Sequence, residues 1–332
     1  MKHTNLRTDL PKSILEAIKD NFFYSSSYFN FLNQTSSPVF IYNKNHIVLV
    51  SIYKKYIFIN AQFPVENICY NSEGNESPQV FLDAIMKYLV KEFKIQWTTP
   101  TNASAFFNTY PTNSLRIPFG SHVINLLDSE EELLQNMHGK HRNSVRKSEK
   151  SGVIIKLGGL DLLKDYLVLD KETWLRSGGV GMGNSYFYNL LSLFPDNIFL
   201  AIAYHNGTPQ GGGFYFYNKS MSYYMYGASK NKPESGSMNL LQWKAILEMK
   251  RLNVKKFSFV GCRINEDENS KFHGIQRFKG RFGGELISGY MFKVIKNRFL
   301  YFLFNALLFM KSGKMSTDAI DQEIHKWSAL NK

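Results

Sequence analysis

The order of helical and strand-like segments in the second half of the sequence most constrains the fold. Two amphipathic helical patterns come first, at 160–175 and 185–194. Three strand-like runs follow, at 198–204, 213–217 and 222–227. The short turns between these runs, Asn206-Gly207 and Asn218-Lys219, predict hairpins. A helical pattern at 238–252 and a closing run at 257–261 complete the order, which predicts a mixed sheet layered with helices.

The first third of the sequence predicts a second mixed domain. Short apolar runs at 39–42, 47–50 and 56–59 are separated by hairpin-like connectors, which predicts an antiparallel meander. Ser77 and Pro78 then occupy the N-cap and first position of a predicted helix. A length of 332 residues suits two domains of ordinary size. We therefore predict an α/β fold of mixed sheets, in two tandem acetyltransferase-like (GNAT) domains.

The junction between the domains is predicted to lie on a long helix. Asp128 and Ser129 each have a glutamate three residues further on, which is a doubled capping-box pattern. The helix is expected to run through Met137 into the basic stretch 140–147 and to stop near Gly152. The predicted domains are therefore 1–135 and 136–290.

The charge balance favours an anionic partner. Forty Lys and Arg residues against twenty-seven Asp and Glu residues give a net charge of +13. Such a charge suits RNA, a nucleotide-linked substrate or an anionic membrane face, although a merely basic surface is the alternative. Two cysteines form neither a disulfide framework nor a zinc motif. Without a signal-like N-terminus or an apolar run of spanning length, the protein is expected to be cytoplasmic.

The basic stretch contains candidate phosphate ligands. Helical spacing places Arg142 and Arg146 on one face, with Lys147 nearby, and such a face suits phosphate oxygens. A solvated helix face is an equally good interpretation. His138 and His141 have a spacing that two metal ligands can share, but their basic neighbours would repel a cation, so no metal site is predicted.

The segment 274–284 has an unusual composition. Three cations, Arg277, Lys279 and Arg281, alternate with Phe278 and Phe282 among four glycines. This mixture is unfavourable in a core or a helix, so it predicts a loop whose backbone approaches a ligand closely.

This segment, the basic stretch, the strand end 225–229 and the helix segment 240–243 together resemble the FemABX family of non-ribosomal peptidyltransferases and its acetyltransferase-like relatives. The resemblance covers roughly the last two thirds of the chain. It implies that the tail 291–332 returns to the first domain. It also implies transfer of an amino acid from an aminoacyl-tRNA to an amine of a peptidoglycan precursor, without a tightly bound cofactor and without DNA.

The resemblance also implies roles for individual residues. Lys279 of the Phe-Lys pair would stabilise the oxyanion at the reacting carbonyl, and Phe278 would pack against the donor. Arg277 and Arg281 are candidate substrate ligands together with Arg142, Arg146 and Lys147. An ordinary surface lysine is the alternative for Lys279, and no general base is assigned.

The candidate acceptor pocket is lined by tyrosines. Tyr186, Tyr188 and Tyr226 are the candidates, although core packing competes for each and is favoured for Tyr188. Relatives often carry an arginine shortly before the tyrosine of this helix, where this chain has Met182. The acceptor therefore stays open.

Two other functions remain. The first is a CoA-dependent N-acyltransferase of envelope polysaccharide or lipid synthesis. Acetyl-CoA enzymes bind pyrophosphate in a glycine-rich loop, whereas the stretch 230–237 has one glycine and a glutamate, which disfavours acyl-CoA as the donor. The second is a non-catalytic RNA- or membrane-binding relative.

The tail carries a separate signal. Lys293, Lys296 and Arg298 precede twelve largely apolar residues at 299–310, and Lys311 and Lys314 follow. This run is too short to span a bilayer but suits a membrane interface, so peripheral contact through 293–314 at the inner membrane face is one expectation. A buried helix that closes the first domain is the simpler interpretation.

Overall fold

A computed structural model describes residues 1–72, 76–179, 181–264, 268, 270–312 and 318–330. Val180, Lys314 and the end of the tail at 331–332 lie outside these described residues. Contacts divide the chain into two compact units, Met1–Gly120 with Ser288–Lys332, and Ser121–Ile287. The boundaries inferred from the sequence, at 135/136 and 290/291, stay a prediction of where separately folding domains end.

The strands are, in chain order, β1 Lys2–Thr4, β2 Ser37–Tyr42, β3 His46–Lys55, β4 Phe58–Gln62, β5 Ile68–Cys69, β6 Trp97–Thr98, β7 Leu115–Asn125, β8 Ile154–Gly158, β9 Ile198–His205, β10 Thr208–Tyr217, β11 Ser222–Ser229, β12 Lys256–Ser258, β13 Cys262–Arg263 and β14 Glu285–Lys293. The helices are α1 Lys12–Ile18, α2 Ser26–Asn33, α3 Pro78–Phe93, α4 Glu130–Asn136, α5 Gly139–Lys150, α6 Leu160–Ser177, α7 Asn184–Leu193, α8 Ser237–Arg251, α9 Lys271–Gly280, α10 Arg298–Ser312 and α11 Ala319–Leu330.

The first unit is built on a sheet with the order β1-β2-β3-β4-β6, in which β5 also pairs with β3. The strands β2, β3 and β4 form the antiparallel meander that the sequence predicted. Helix α3 begins where it was predicted, because the Ser77 hydroxyl accepts a hydrogen bond from the Val80 N–H and Pro78 is the first helical residue. Its buried side chains, Phe81, Ile85 and Leu89, pack in one core with β3.

One buried cation connects three segments of the tail. Lys293 lies at the end of β14, and its side chain is 1% exposed. Its ammonium donates hydrogen bonds to the carboxylates of Asp318 (2.7 Å) and Asp321 (2.5 Å) and to the Tyr301 hydroxyl (3.1 Å). Because Tyr301 belongs to α10 and Asp321 to α11, the ion pair holds both helices to β14.

The second unit is built on a sheet with the order β13-β7-β12-β11-β10-β9-β8, and β14 also pairs with β7. Residues Phe214 and Tyr215 are neighbours on β10 and point to opposite faces of this sheet. On one face, Tyr166 of α6 and Phe187 of α7 pack on Phe214. On the other face, α8 shares a core with Tyr215. The sheet therefore has helices on both sides.

The prediction of one continuous long helix after Ser129 is wrong, because two helices follow instead. The capping box is present between Ser129 and Glu132, but α4 ends at Asn136 and α5 begins at Gly139. The Arg142 guanidinium donates to the carbonyls of Gln135 (2.8 Å) and Met137, which satisfies the C-terminal end of α4. Two helices therefore replace one because hydrogen bonds from the Arg142 side chain stabilise the break.

The prediction of a loop at 274–284 is also wrong over most of that range, which is helical. Helix α9 covers residues up to Gly280, and its N-cap Ser270 accepts a hydrogen bond from the His273 N–H (3.0 Å). Phe282, which was expected to be unfavourable in a core, is buried in the core of the second unit. Packing of Phe278 and Phe282 against His141 offsets the helix cost of the glycines, which is about 1 kcal/mol each.

Candidate active site in the second unit

Two neighbouring parallel strands separate at their carboxyl ends. β11 pairs with β12 through Ser222 with Phe257 and Tyr223 with Ser258, although β11 continues to Ser229. Beyond β12 the chain turns through Val260 and Gly261, whose φ angles are 38° and 42°. A positive φ is strained for a β-branched residue and is retained where surrounding contacts impose it. The two strands therefore pair only over the first residues of β11, and α/β proteins commonly bind ligands beside the carboxyl ends of strands that separate in this way.

Lys279 lies at the strained turn. Its Nζ donates hydrogen bonds to the carbonyl oxygens of Val260 (2.5 Å) and Gly261 (2.8 Å). Burial lowers the pKa of Lys279 to about 8, so it is still largely protonated at neutral pH. An ammonium has three donors, and in the described part of the chain two of them are used. Lys279 can therefore offer a third N–H to a ligand oxygen.

The surroundings of Lys279 are close-packed and neutral. A Cβ atom at Gly280 would lie 2.8 Å from Cε1 of His122, so a larger residue there would displace the histidine. Both ring nitrogens of His122 are buried. Burial lowers the pKa of His122, the Gly284 backbone raises it and the Lys279 charge lowers it further. Burial raises the pKa of the Cys262 thiol more than the Lys279 charge lowers it. At neutral pH the positive charge of this cluster therefore resides on Lys279.

Helix α5 holds the end of α9 in place. Nε2 of the buried His141 lies 3.1 Å from the Phe278 carbonyl oxygen, and the His141 ring packs against Phe278 and Phe282. The His138 N–H donates to the carbonyl oxygen of Arg281 (2.9 Å). The structure thus brings the segment 278–281 together with the start of the basic helix, as a shared phosphate-binding surface would require.

The five predicted basic ligands have different environments. Arg142 uses its guanidinium on the carbonyls at the end of α4, so part of its hydrogen-bonding capacity is structural. The two other predicted ligands on α5, Arg146 and Lys147, are exposed, and so is Arg277 on α9. Arg281 is half-buried. The exposed side chains are accessible to a phosphate. A substrate role for all five stays a prediction.

Two of the predicted tyrosines are in contact. The hydroxyls of Tyr186 on α7 and Tyr226 on β11 are 2.6 Å apart, and both rings pack on Phe187. Tyr226 belongs to the part of β11 that continues past its pairing with β12. Tyr188 is exposed, so the expectation that it packs in the core is wrong; it occupies the outer face of α7.

Three polar residues near these groups were missed by the sequence reasoning. His122 and Cys262 lie close to Lys279. Asp170 on α6 lies beside Gly181, where a Cβ atom would fall 2.9 Å from the Asp170 Oδ2. Burial raises the pKa of Asp170, although a hydrogen bond from Trp174 Nε1 (3.0 Å) opposes this. The only sequence signal for this part of the site was His122, a histidine inside an apolar strand. Asp170 could not be recognised as a site residue, because exposed helix faces commonly carry carboxylates.

Residues 116–210 match the FemAB family. No curated protein sequence is significantly similar to the chain. Among solved structures, FemX is 13% identical with a TM-score of 0.66, over 91% of this chain and 99% of FemX. The C-terminal domain of a putative lysylphosphatidylglycerol synthetase from Agrobacterium fabrum is 10% identical (TM-score 0.55, 92% and 99% covered). L-PGS from Bacillus licheniformis is also 10% identical (TM-score 0.53, 92% and 98% covered).

These similarities confirm two of the sequence-based predictions. The resemblance to FemABX and acetyltransferase-like enzymes is confirmed, and the α/β fold class with tandem acetyltransferase-like domains is confirmed by the shared fold. The family match over 116–210 also indicates a transferase.

Proposed function

We propose that the protein transfers an aminoacyl group from an aminoacyl-tRNA to an amine of a cell-envelope precursor, with Lys279 at the reacting carbonyl. The observation that carries this proposal is the Lys279 ammonium on the turn that follows β12, hydrogen-bonded to two neutral carbonyls whose residues have positive φ angles. Within the described residues it has no carboxylate partner. Its charge is therefore available to a substrate oxygen.

The reaction needs no enzyme nucleophile. The acceptor amine attacks the ester carbonyl of the donor, a C–N bond forms, and the carbonyl oxygen becomes an oxyanion. The third N–H of Lys279 donates to that oxygen, an interaction that is stronger in the transition state than in the ground state. The C–O bond to the tRNA ribose then breaks, and the ribose oxygen takes up the proton that the amine loses. Phe278 packs on His141 and keeps Lys279 in position, and its remaining exposed edge is predicted to contact the donor.

The proposed substrates are both rich in phosphate. The exposed cations of α5 and α9, namely Arg146, Lys147 and Arg277, with the half-buried Arg281 and the free part of Arg142, suit the phosphates of tRNA and of a peptidoglycan precursor. The hydrogen-bonded pair Tyr186 and Tyr226 is proposed to line the acceptor pocket. Such substrates are consistent with a cytoplasmic protein that works near the inner membrane face.

The packing of α5 on α8 favours an aminoacyl-tRNA over acyl-CoA as the donor. In CoA enzymes the pyrophosphate binds at the start of the helix that corresponds to α8. Here Gly236, the N-cap of α8, has a φ of 81°, and a Cβ atom on it would lie 2.4 Å from the Ser144 carbonyl oxygen of α5. Ser237 is fully buried, and Lys244 pairs with Glu149 across the two helices at 2.9 Å. The close packing of α5 on the start of α8 therefore supports a donor other than acyl-CoA.

A transfer assay with competing donors tests this proposal. The purified protein is given a UDP-linked muramyl pentapeptide with either a mixture of aminoacyl-tRNAs or acetyl-CoA, and the acceptor is followed by mass spectrometry. We expect a mass increase of one or more amino acids with aminoacyl-tRNA, and none with deacylated tRNA or acetyl-CoA. Acetylation of the acceptor by acetyl-CoA, without aminoacyl transfer, would establish the CoA-dependent alternative instead.

The proposal also predicts a basic limb in the pH profile. Because the pKa of Lys279 is lowered to about 8, kcat/KM should decline as the pH rises through that value, whereas an ordinary lysine would keep its charge to above pH 10. His122, with a lowered pKa, and Cys262, with a raised one, should both stay neutral around that pH. The Lys279→Arg variant stays charged throughout, so its residual activity should lack this limb. An identical limb in both enzymes would assign it to another group.

A further inference from the structure

Helix α10 presents a row of apolar side chains to solvent. Phe299, Phe302 and Met310 are 72%, 71% and 72% exposed, and Phe309 is also exposed. At 3.6 residues per turn these four positions share one side of the helix, which we call the aromatic face. An exposed contiguous apolar surface of this kind marks an interaction site.

The opposite side of α10 accounts for how the helix is held. The Tyr301 and Phe304 rings pack on Trp97 at centroid distances of 5.6 and 5.1 Å, and Phe304 also contacts Phe58 at 5.3 Å. Tyr301 additionally accepts a hydrogen bond from the buried Lys293. The helix is thus anchored by one side, and the aromatic face is directed outward by that packing.

A second element extends this surface. The turn between β3 and β4 carries Tyr56 and Ile57, which are 84% and 60% exposed. Gln96 joins the turn to the start of α10. Its side-chain Nε2 donates to the Ile57 carbonyl (2.7 Å), and its backbone carbonyl accepts from the N–H groups of Lys296 and Asn297 (2.8 and 2.9 Å). Two separate segments therefore expose large apolar residues at the same end of the first unit.

Exposed cationic side chains flank both segments of this surface. Lys54 and Lys55 precede the exposed turn, Lys296 and Arg298 stand at the start of α10 and Lys311 at its end, and all five are exposed. Neither the turn nor α10 contains an acidic residue. Long cationic side chains beside an apolar face can extend to lipid headgroups while the apolar groups enter the acyl boundary.

We propose that the aromatic face of α10 and the Tyr56-Ile57 turn form a docking surface for an anionic lipid bilayer. At 1.5 Å per residue, the fifteen residues of α10 extend about 22 Å, less than the roughly 30 Å of a hydrocarbon core. Consistent with this, no helix in the described ranges is long and apolar enough to cross a membrane. The helix therefore lies in the plane of the membrane interface. This docking role goes beyond the proposed transfer reaction and does not depend on it.

Vesicle co-sedimentation of the full chain tests the docking surface. Vesicles of phosphatidylcholine and phosphatidylglycerol in equal parts should bind the protein, and vesicles of phosphatidylcholine alone should bind it much more weakly. The double variant Phe299→Ser with Phe302→Ser should bind the mixed vesicles about tenfold less tightly or worse, because two apolar side chains no longer enter the interface. Replacing Lys296 and Arg298 with Gln should weaken binding to the anionic vesicles roughly fivefold for each positive charge removed. The same replacements should not change binding to vesicles of phosphatidylcholine alone.

Matched variants separate this surface from nonspecific adhesion. Val168→Ser with Leu175→Ser removes two comparably exposed apolar side chains from α6, and Lys91→Gln removes an exposed cation from α3; both should leave vesicle binding unchanged. All variants should unfold at the wild-type temperature because each altered side chain is exposed. The proposal is overturned if the serine variant binds as tightly as wild type. It is equally overturned if wild type ignores vesicles and instead self-associates through the aromatic face.

Discussion

Replacing Lys279 with Met should lower kcat for aminoacyl transfer by about a hundredfold to a thousandfold, while KM changes little. Removal of one donor from an oxyanion site typically has an effect of this size, corresponding to roughly 3 to 4 kcal/mol of transition-state stabilisation. The Lys279 ammonium already has a fixed position on the Val260 and Gly261 carbonyls, so its orientation costs nothing further during the reaction. Steady-state kinetics with an aminoacyl-tRNA donor measures both parameters.

Lys271→Met is the matched control, because Lys271 is an exposed lysine at the other end of the same helix. It should leave kcat at the wild-type value. A Lys279→Met enzyme with normal kcat and a greatly raised KM would make Lys279 a ground-state binding group. A wild-type protein that binds tRNA but transfers nothing under any condition would support the non-catalytic alternative.

Local sequence signals predicted the elements whose ends are set by neighbouring residues. Ser77 and Pro78 begin α3, and the Ser129 and Glu132 capping box begins α4, because each needs only residues within one helical turn. The meanders were predictable for the same reason, since their turns and apolar runs lie in continuous sequence. These short-range signals were sufficient to predict the fold class correctly.

Elements fixed by tertiary contacts were not predictable. The break between α4 and α5 is held by a distant segment, because the His138 N–H donates to the Arg281 carbonyl oxygen. Helix α9 forms although its glycines oppose a helix, because Phe278 and Phe282 pack on His141. Helix propensities differ by at most about 1 kcal/mol per residue, which packing of a buried aromatic ring readily exceeds.

The candidate site shows the same division. The resemblance selected Lys279 and Tyr226, but their partners come from distant segments: Val260 and Gly261 for the lysine, Tyr186 for the tyrosine. The strained turn could not be inferred because valine rarely adopts a positive φ. Sequence therefore indicated the chemical groups, whereas the carbonyl partners of Lys279 emerged only from the fold.

Lys293→Met should destabilise the first unit by about 3 kcal/mol, because it removes a buried cation and leaves the half-buried carboxylates of Asp318 and Asp321 close together without it. Burial opposes the Lys293 charge, but hydrogen bonds to Asp318 and Asp321 outweigh it and raise the pKa of Lys293. The charged triad is therefore favoured in the folded state, and urea unfolding should show the loss as a lower midpoint with a similar slope.

The companion variant carries Lys293→Met together with Asp318→Asn and Asp321→Asn. Part of the lost stability should return in it, because the penalty of the single variant comes mainly from carboxylates without a cation rather than from the lost attraction itself. Lys311→Met, an exposed lysine on α10, should leave the urea midpoint unchanged. Equal stability of the single and triple variants would instead place the contribution of Lys293 in its packing against Tyr301.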